Sequence, residues 1–290
     1  MYLIFGASGY VGKKFVAELT KRKQYHAVAT RGDVNYYDFK DVSDAVRAAS
    51  PKIIINCAGF VGKPNVDACE DDKENTYKGN VHLANLLAKI SAIHDIPLAH
   101  VSSGCIYSGE KQNGNGFSEE DEPNFCFDAP PCSFYSGTKA EAEKQIRALI
   151  DKHYIWRLRI PFDEFDNSRN YISKLLNYKK LFNAKNSISH LGDFVNACLD
   201  SLEKKIPFGT YNIVNSGSIT TKEVVKKIKT TLKVKKKFAF WKDEEEFYSK
   251  AAKTPRSNCV LDNSKLIAAG ITMRSTDEAL EEALKNWTKE

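Results

Sequence analysis

Several things are missing from this 290-residue chain, and each absence narrows what it can be. No run of about 18 apolar residues occurs, so no membrane-spanning helix is expected. The basic and apolar opening of a signal peptide is absent. The N-terminus runs straight into a strand pattern, and a cytoplasmic setting is the expectation. The seven cysteines show no paired spacing and are odd in number. That argues against a disulfide framework or a zinc site and fits reduced thiols. No internal repeat or low-complexity tract is present. No strong excess of either charge is present. The formal net charge of +6 would help a small polyanion approach but is weak ground for nucleic-acid binding. The lysine run from Lys222 to Lys242 has little arginine or aromatic interleaving and is followed by Asp243 to Glu246. It reads as a solvated helix face.

What is present is ordinary globular material, with 42% hydrophobic and 28% charged residues. That suffices for one large α/β domain with a smaller appendage. The first third alternates strand and helix signals. Tyr2 to Phe5 is a short apolar run ending in glycine, and Val11, Phe15, Val16 and Leu19 recur at helical spacing. Strands are predicted near Ala27 to Ala29, Ile53 to Ile55, Pro97 to Ser102, Tyr154 to Ile160 and Thr210 to Val214. Helical patterns lie at Val42 to Ala49, Asn75 to Ile93 and Phe134 to Lys152. Repeated β-α-β units of this kind give a Rossmann-type, doubly wound parallel sheet. Residues 104–133 are rich in Gly, Asn, Asp, Glu and Pro and read as a long loop, functional or mobile. Residues 1–160 are predicted to form the dinucleotide-binding domain, with 189–216 returning to it. Residues 161–188 and 217–290 are assigned to a smaller substrate-binding lobe.

Gly6-Ala7-Ser8-Gly9-Tyr10-Val11-Gly12 lies between the first strand and the first helix. Gly6 permits a tight turn, Gly9 lets the backbone approach a pyrophosphate, and Gly12 lets helix and strand pack closely. The helix N-terminus offers N–H donors and a positive dipole end to phosphate. A merely structural strand–helix turn is the alternative. At the end of the second strand, Thr30-Arg31-Gly32 stands where NAD specificity usually needs an acidic residue. Arg31 suits a 2′-phosphate, which predicts NADPH, with NADH as the other possibility. The bland reading of Arg31 is a solvated turn residue. Asp38, beyond this turn, is also assigned to the cofactor. Cys57, Ala58 and Gly59 are small residues at a strand's carboxyl end, over which a dinucleotide can lie.

Tyr135 and Lys139, four residues apart, share one helix face. An adjacent ammonium lowers a phenol's pKa from its usual value near 10, which suits proton transfer. Ser103, at a strand end, can hydrogen-bond a substrate carbonyl. Bare Tyr-x-x-x-Lys patterns arise often by chance, but here the order of glycine turn, Asn-x-Ala-Gly strand end, serine and Tyr–Lys pair resembles the extended short-chain dehydrogenase/reductase family throughout the chain. The stretches Asn56 to Asp67, Ser103-Gly104-Cys105-Ile106-Tyr107, Phe117 to Asp121, Ser133 to Ser136, Pro255 to Asn258 and Asp262 to Leu266 narrow this. They resemble the bifunctional 3,5-epimerase/4-reductases that complete UDP-L-rhamnose synthesis. The dTDP-4-dehydrorhamnose reductases and GDP-fucose synthases are more distant relatives.

That resemblance implies a UDP-4-keto-6-deoxyglucose substrate, 3,5-epimerisation and then reduction of the C4 ketone by NADPH. It implies Tyr135 as proton donor, Lys139 on the nicotinamide ribose and Ser103 on the carbonyl. It implies Cys105, two residues after Ser103, as one epimerisation acid/base; the alternative is a small core residue. GDP-fucose synthases carry a histidine where this chain reads Asn170-Tyr171-Ile172-Ser173-Lys174. Lys174 is the candidate there, or else a surface lysine. Arg256 is the expected pyrophosphate ligand, unless it caps a helix, and Asn65 and Asn170 are expected polar contacts. A homodimer is expected by analogy. A dTDP- or GDP-linked keto-sugar reductase and a non-catalytic NADP-binding regulatory subunit are the rival readings.

Overall fold

The computed structural model describes residues 1–63 and 65–288. Pro64, within the Asn56 to Asp67 stretch, and residues 289 and 290, at the end of the proposed lobe, lie outside the described residues. Six strands form one parallel sheet: β1 (Tyr2–Phe5), β2 (His26–Ala29), β3 (Ile53–Asn56), β4 (Leu98–Ser103), β5 (His153–Leu158) and β6 (Gly209–Asn212). Their spatial order is β6-β5-β4-β3-β1-β2. The chain enters at β1, places β2 on one side and β3 on the other. This reversal makes a crevice at the carboxyl ends of β1 and β3, the place where ligands bind in open α/β sheets.

Helices cover both faces. α1 (Tyr10–Lys21) lies on one, and α2 (Phe39–Ala49), α3 (Leu83–His94) and α4 (Phe134–Leu149) lie on the other. Further along come α5 (Tyr171–Asn177), α6 (Leu191–Glu203), α7 (Thr221–Leu232) and α8 (Thr276–Lys285). α6 joins α1 on its face, where Phe15, Leu19, Phe194 and Leu199 share one buried cluster with Trp156. The period of two is visible in β4. Leu98 packs toward α3 and α4, while Ala99 and Val101 pack toward α1 and α6. A third cluster unites Phe162, Ile172 and Leu181 with Val224 and Ile228 of α7 and Leu280 and Leu284 of α8. Among the described residues no helix is long and apolar enough to cross a membrane.

The pattern over Asn75 to Ile93 predicts one long helix, and the segment is one continuous helical run with a π turn inside it. Lys73–Tyr77 is α-helical, Lys78–His82 is π-helical, and α3 follows. The π turn carries Asn80, whose buried amide bonds across to Phe60 and Thr138. The strand predicted to Ile160 ends at Leu158. Ile160 adopts φ +38° just before Pro161, a conformation rare for a β-branched residue, and bends the chain over the cleft. Residues 104–133 lack long elements yet are tied down. Gly109 and Phe117 exchange backbone hydrogen bonds of 2.6–3.1 Å with Asn258, Val260 and Asp262.

Candidate active site

The glycine turn closes by backbone contact. Gly6 has φ +78°, and a Cβ there would lie 2.4 Å from Ala58 N. A Cβ on Gly12 would lie 2.2 Å from Gly6 O. Strand, turn and helix thus meet with no room for a side chain. Gly9 caps the twelve-residue α1 and donates to Gly6 O at 3.0 Å. Gly6, Ser8, Gly9, Cys57, Ala58 and Gly59 border a cavity of about 260 Å³ that ends at Arg31 and Tyr36. The cradle fits a dinucleotide: bare backbone at a helix N-terminus, small residues opposite, and a guanidinium at the far end. Tyr36 is a member the sequence did not announce. Its hydroxyl accepts from Gly6 N at 3.1 Å and donates to Ala29 O at 2.5 Å, and Arg31 lies over its ring at 5.6 Å. Asp38 is exposed, its carboxylate accepts from Asp41 N at 2.8 Å as the cap of α2, and it does not border the cavity.

A second cavity, of about 480 Å³, continues from the first past Tyr10 and Val11. Ser103, Cys105, Tyr135, Lys139 and Lys174 all border it, as do Asn65 and Arg256. They come from several parts of the chain. Ser103 ends β4, where its Oγ accepts from Cys105 N at 3.2 Å and starts the 3-10 turn Gly104–Ile106. Tyr135 and Lys139 sit in the first turns of α4, capped by Ser133, whose Oγ accepts from Ser136 N at 3.1 Å. The helix is locked in place further along. Glu143 takes a hydrogen bond of 2.7 Å from Arg157 of β5 and one of 2.5 Å from Ser102 of β4, all three side chains being buried. Removing one member of such a buried pair typically costs about 3–5 kcal/mol.

Burial governs the proton affinities here. It pushes the Tyr135 phenol well above its ordinary value. Arg159 and Arg169 pull it back. Lys139 turns inward, donating to Val101 O at 3.0 Å, and burial lowers its affinity for a proton. Burial raises the Cys105 thiol, against the pull of Ser103, Arg159, Ser136 and Lys139. Burial and then Arg169 lower Lys174. Lys174 thus has both the burial and the neighbouring cation that a working lysine base needs.

Positive charge concentrates on one wall. Arg256 Nη2 pairs with Asp67 Oδ2 at 2.6 Å, while Arg169 Nη1 donates to Gly62 O at 2.9 Å. Among the described residues, Arg256 Nη1 and Arg159 Nε are buried with no hydrogen-bond partner. Two guanidinium edges left over in one cleft suit a diphosphate. Arg159 and Arg169 escaped the sequence reading. The available signal was Trp156-Arg157-Leu158-Arg159, two arginines in an otherwise apolar strand pattern. Asn65 borders the cleft, its Oδ1 accepting from Asp67 N at 2.8 Å. Asn170 is fully buried and caps α5; its Oδ1 accepts from Ile172 N, and its Nδ2 donates to the Asp163 carbonyl and carboxylate and to Phe165 O. Its amide is committed to the chain's own groups and does not border the cleft. An outer cavity of about 590 Å³, lined in part by Phe125 and Tyr248, adjoins this wall at Pro255 and Arg256.

The fold and the joined cavities define a Rossmann-type α/β protein whose dinucleotide cradle opens toward a cleft bordered by Tyr135 and Lys139. The chain belongs to the family described as RmlD substrate binding domain, which matches residues 1–289. It is 29% identical over 284 residues to a trifunctional UDP-glucose 4,6-dehydratase/UDP-4-keto-6-deoxy-D-glucose 3,5-epimerase/UDP-4-keto-L-rhamnose-reductase of Arabidopsis thaliana, a match covering 96% of this chain and 41% of that protein. The chain thus spans about two fifths of such relatives. Its fold is that of the UDP-rhamnose synthase L780 of Acanthamoeba polyphaga mimivirus, with a TM-score of 0.89, 23% identity and 98% of each chain covered. It is also that of a dTDP-4-dehydrorhamnose reductase of Bacillus anthracis solved with NADP, with a TM-score of 0.83, 21% identity, and 99% of this chain and 97% of that one covered.

Proposed function

We propose that this chain converts UDP-4-keto-6-deoxy-D-glucose to UDP-L-rhamnose by 3,5-epimerisation and then reduction of the C4 ketone. One observation carries the reading: the glycine-turn cradle opens into a single cleft bordered by Ser103, Cys105, Tyr135, Lys139 and Lys174. NADPH held in that cradle, with Arg31 on its 2′-phosphate, supplies the hydride. Tyr135 gives the C4 oxygen its proton, Ser103 orients the carbonyl, and Lys139 holds the ribose and restores the phenol. The 4-ketone acidifies the hydrogens on C3 and C5. Inverting each carbon requires a proton taken from one face and returned to the other. The raised thiol and the lowered lysine suggest the polarity: the Lys174 amine takes each proton and the Cys105 thiol gives one. The pair resets when one proton passes from ammonium to thiolate.

Arg256 and Arg159 bind the diphosphate through the edges that have no protein partner. The UDP end then lies against residues 161–188 and 217–290, which serve as the substrate lobe beside a nucleotide domain of 1–160 and 189–216. A homodimer is proposed by analogy. A dTDP-linked substrate is the second reading, favoured by the fold shared with a dTDP-4-dehydrorhamnose reductase. The deciding experiment incubates the protein with NADPH and either UDP- or dTDP-4-keto-6-deoxyglucose, with products identified by NMR. UDP-L-rhamnose is the expected product. NADPH binding without oxidation by either sugar would overturn the enzymatic reading. Cys105→Ala should stop inversion at C3 and C5 while NADPH still binds.

A further inference from the structure

Lys139 has a neighbour with no part in the chemistry above. Its Nζ lies 3.3 Å from Nε2 of His100, a residue 1% exposed on β4. On the other side of the ring, His100 Nδ1 lies 3.0 Å from Asn56 Nδ2. Asn56 Oδ1 in turn accepts from Ala58 N at 3.0 Å. These contacts run in one direction. A backbone N–H can only donate, so the Asn56 oxygen faces Ala58 and its NH₂ faces His100. An amide NH₂ can only donate, so His100 Nδ1 carries a lone pair. Burial keeps the imidazole neutral. Its single proton therefore sits on Nε2 and points at Lys139 Nζ. An ammonium has no lone pair to receive it; a neutral amine has one.

We propose that His100 is a positioning residue that acts on the acid–base pair through Lys139. By donating Nε2–H to the lysine nitrogen it favours amine over ammonium, and so sets the pH above which Tyr135 and Lys139 stop supplying the C4 proton. This rests on the reading of Tyr135 and Lys139 as the proton-supplying pair. The other titratable groups acting on Lys139 are Cys105, on the turn after β4, and Glu143, one turn along α4; both favour the ammonium, and burial outweighs them. Ala58 borders the dinucleotide cradle, so the chain of donors links the floor of that cradle to the lysine. Forming the ammonium requires a break in that chain, either at Ala58 or at His100.

The donor chain is directly readable. The protein holds six histidines, so ¹⁵N-histidine labelling gives a tractable spectrum, with His100 identified by its loss in His100→Phe. The Nε2–H tautomer is expected; an Nδ1–H tautomer overturns the inference. Asn56→Asp keeps the shape but replaces the NH₂ by an acceptor. It should switch His100 to Nδ1–H, so that Nε2 accepts from the ammonium. Hydrogen bonds to charged groups are strong enough to move the basic limb of the reduction rate up by about one pH unit. His100→Phe should move it the same way and abolish any further shift from Asn56→Asp, whereas a through-space charge effect would persist. An unmoved limb in both variants, with NADPH affinity retained, overturns the role of His100 alone. Full reduction by Tyr135→Phe would instead overturn the pair itself, and this inference with it.

Discussion

At the Gly6 end the cleft is walled mostly by bare backbone and small residues. At the Tyr135 end it is walled mostly by larger side chains. The first end is contiguous: seven residues from Gly6 to Gly12 make the turn, and shape decides its two ends, since a Cβ on Gly6 or Gly12 would land within 2.4 Å of main-chain atoms. The second end is assembled from the close of β4, the start of α4, the strand end bearing Arg159, and α5. There the protein spends buried polar contacts to fix geometry, with Glu143 and Arg157 holding α4 against the sheet. Backbone sites tolerate any side chain that stays out of the way. Side-chain sites depend on the particular atom each residue brings.

This contrast predicts different failures. The largest effect should come from Tyr135→Phe. Loss of a general acid costs on the order of 10³-fold in reduction rate. NADPH affinity should be unchanged by fluorescence titration, and solvent deuterium should still enter C3 and C5. At the opposite end, Gly6→Ala should lose both the cofactor and stability together. A side chain at φ +78° against Ala58 costs roughly 3 kcal/mol, seen as a lowered melting temperature alongside a weakened NADPH Kd. If Gly6→Ala lowered the rate while leaving melting and NADPH binding intact, the cradle would not be the shape-determined site described above. Arg31→Glu is milder. Its loss should reduce the preference for NADPH over NADH by about tenfold, the value of one charge-assisted contact, with no change in melting temperature.

The same contrast explains what could be read in advance. The sheet, its order of elements and the glycine turn are local patterns, and periodicity plus glycine spacing reveals them. Tyr135, Lys139, Ser103 and Cys105 were legible because family resemblance places them, and the structure brings them to one cavity. Arg159, Arg169, Asn80 and Tyr36 were not. Their neighbours lie far away in the chain, as when Arg169 reaches Gly62 or Asn80 reaches Thr138. Nothing in the local sequence states which face such a residue will meet. Asp38, expected at the cofactor, stands just before a helix and caps it, as an aspartate there most often does.

Asn170 offers the sharpest use of the comparison, because it stood beside Asn65 as an expected substrate contact and only one of the two borders the cleft. Its carbonyl oxygen caps α5, and its NH₂ serves the Asp163 and Phe165 carbonyls. Asn170→Ala removes the cap and strips buried acceptors, for a loss of roughly 2 kcal/mol. The substitution should therefore lower the melting temperature while KM for the sugar nucleotide, measured well below melting, stays within about twofold. Asn65→Ala should do the reverse, since its Oδ1 supports only the local turn at Asp67, which in turn holds Arg256 at 2.6 Å. KM should rise there with little change in melting. A raised KM with unchanged melting in Asn170→Ala would mean that α5 opens in solution and that Asn170 belongs to the substrate after all.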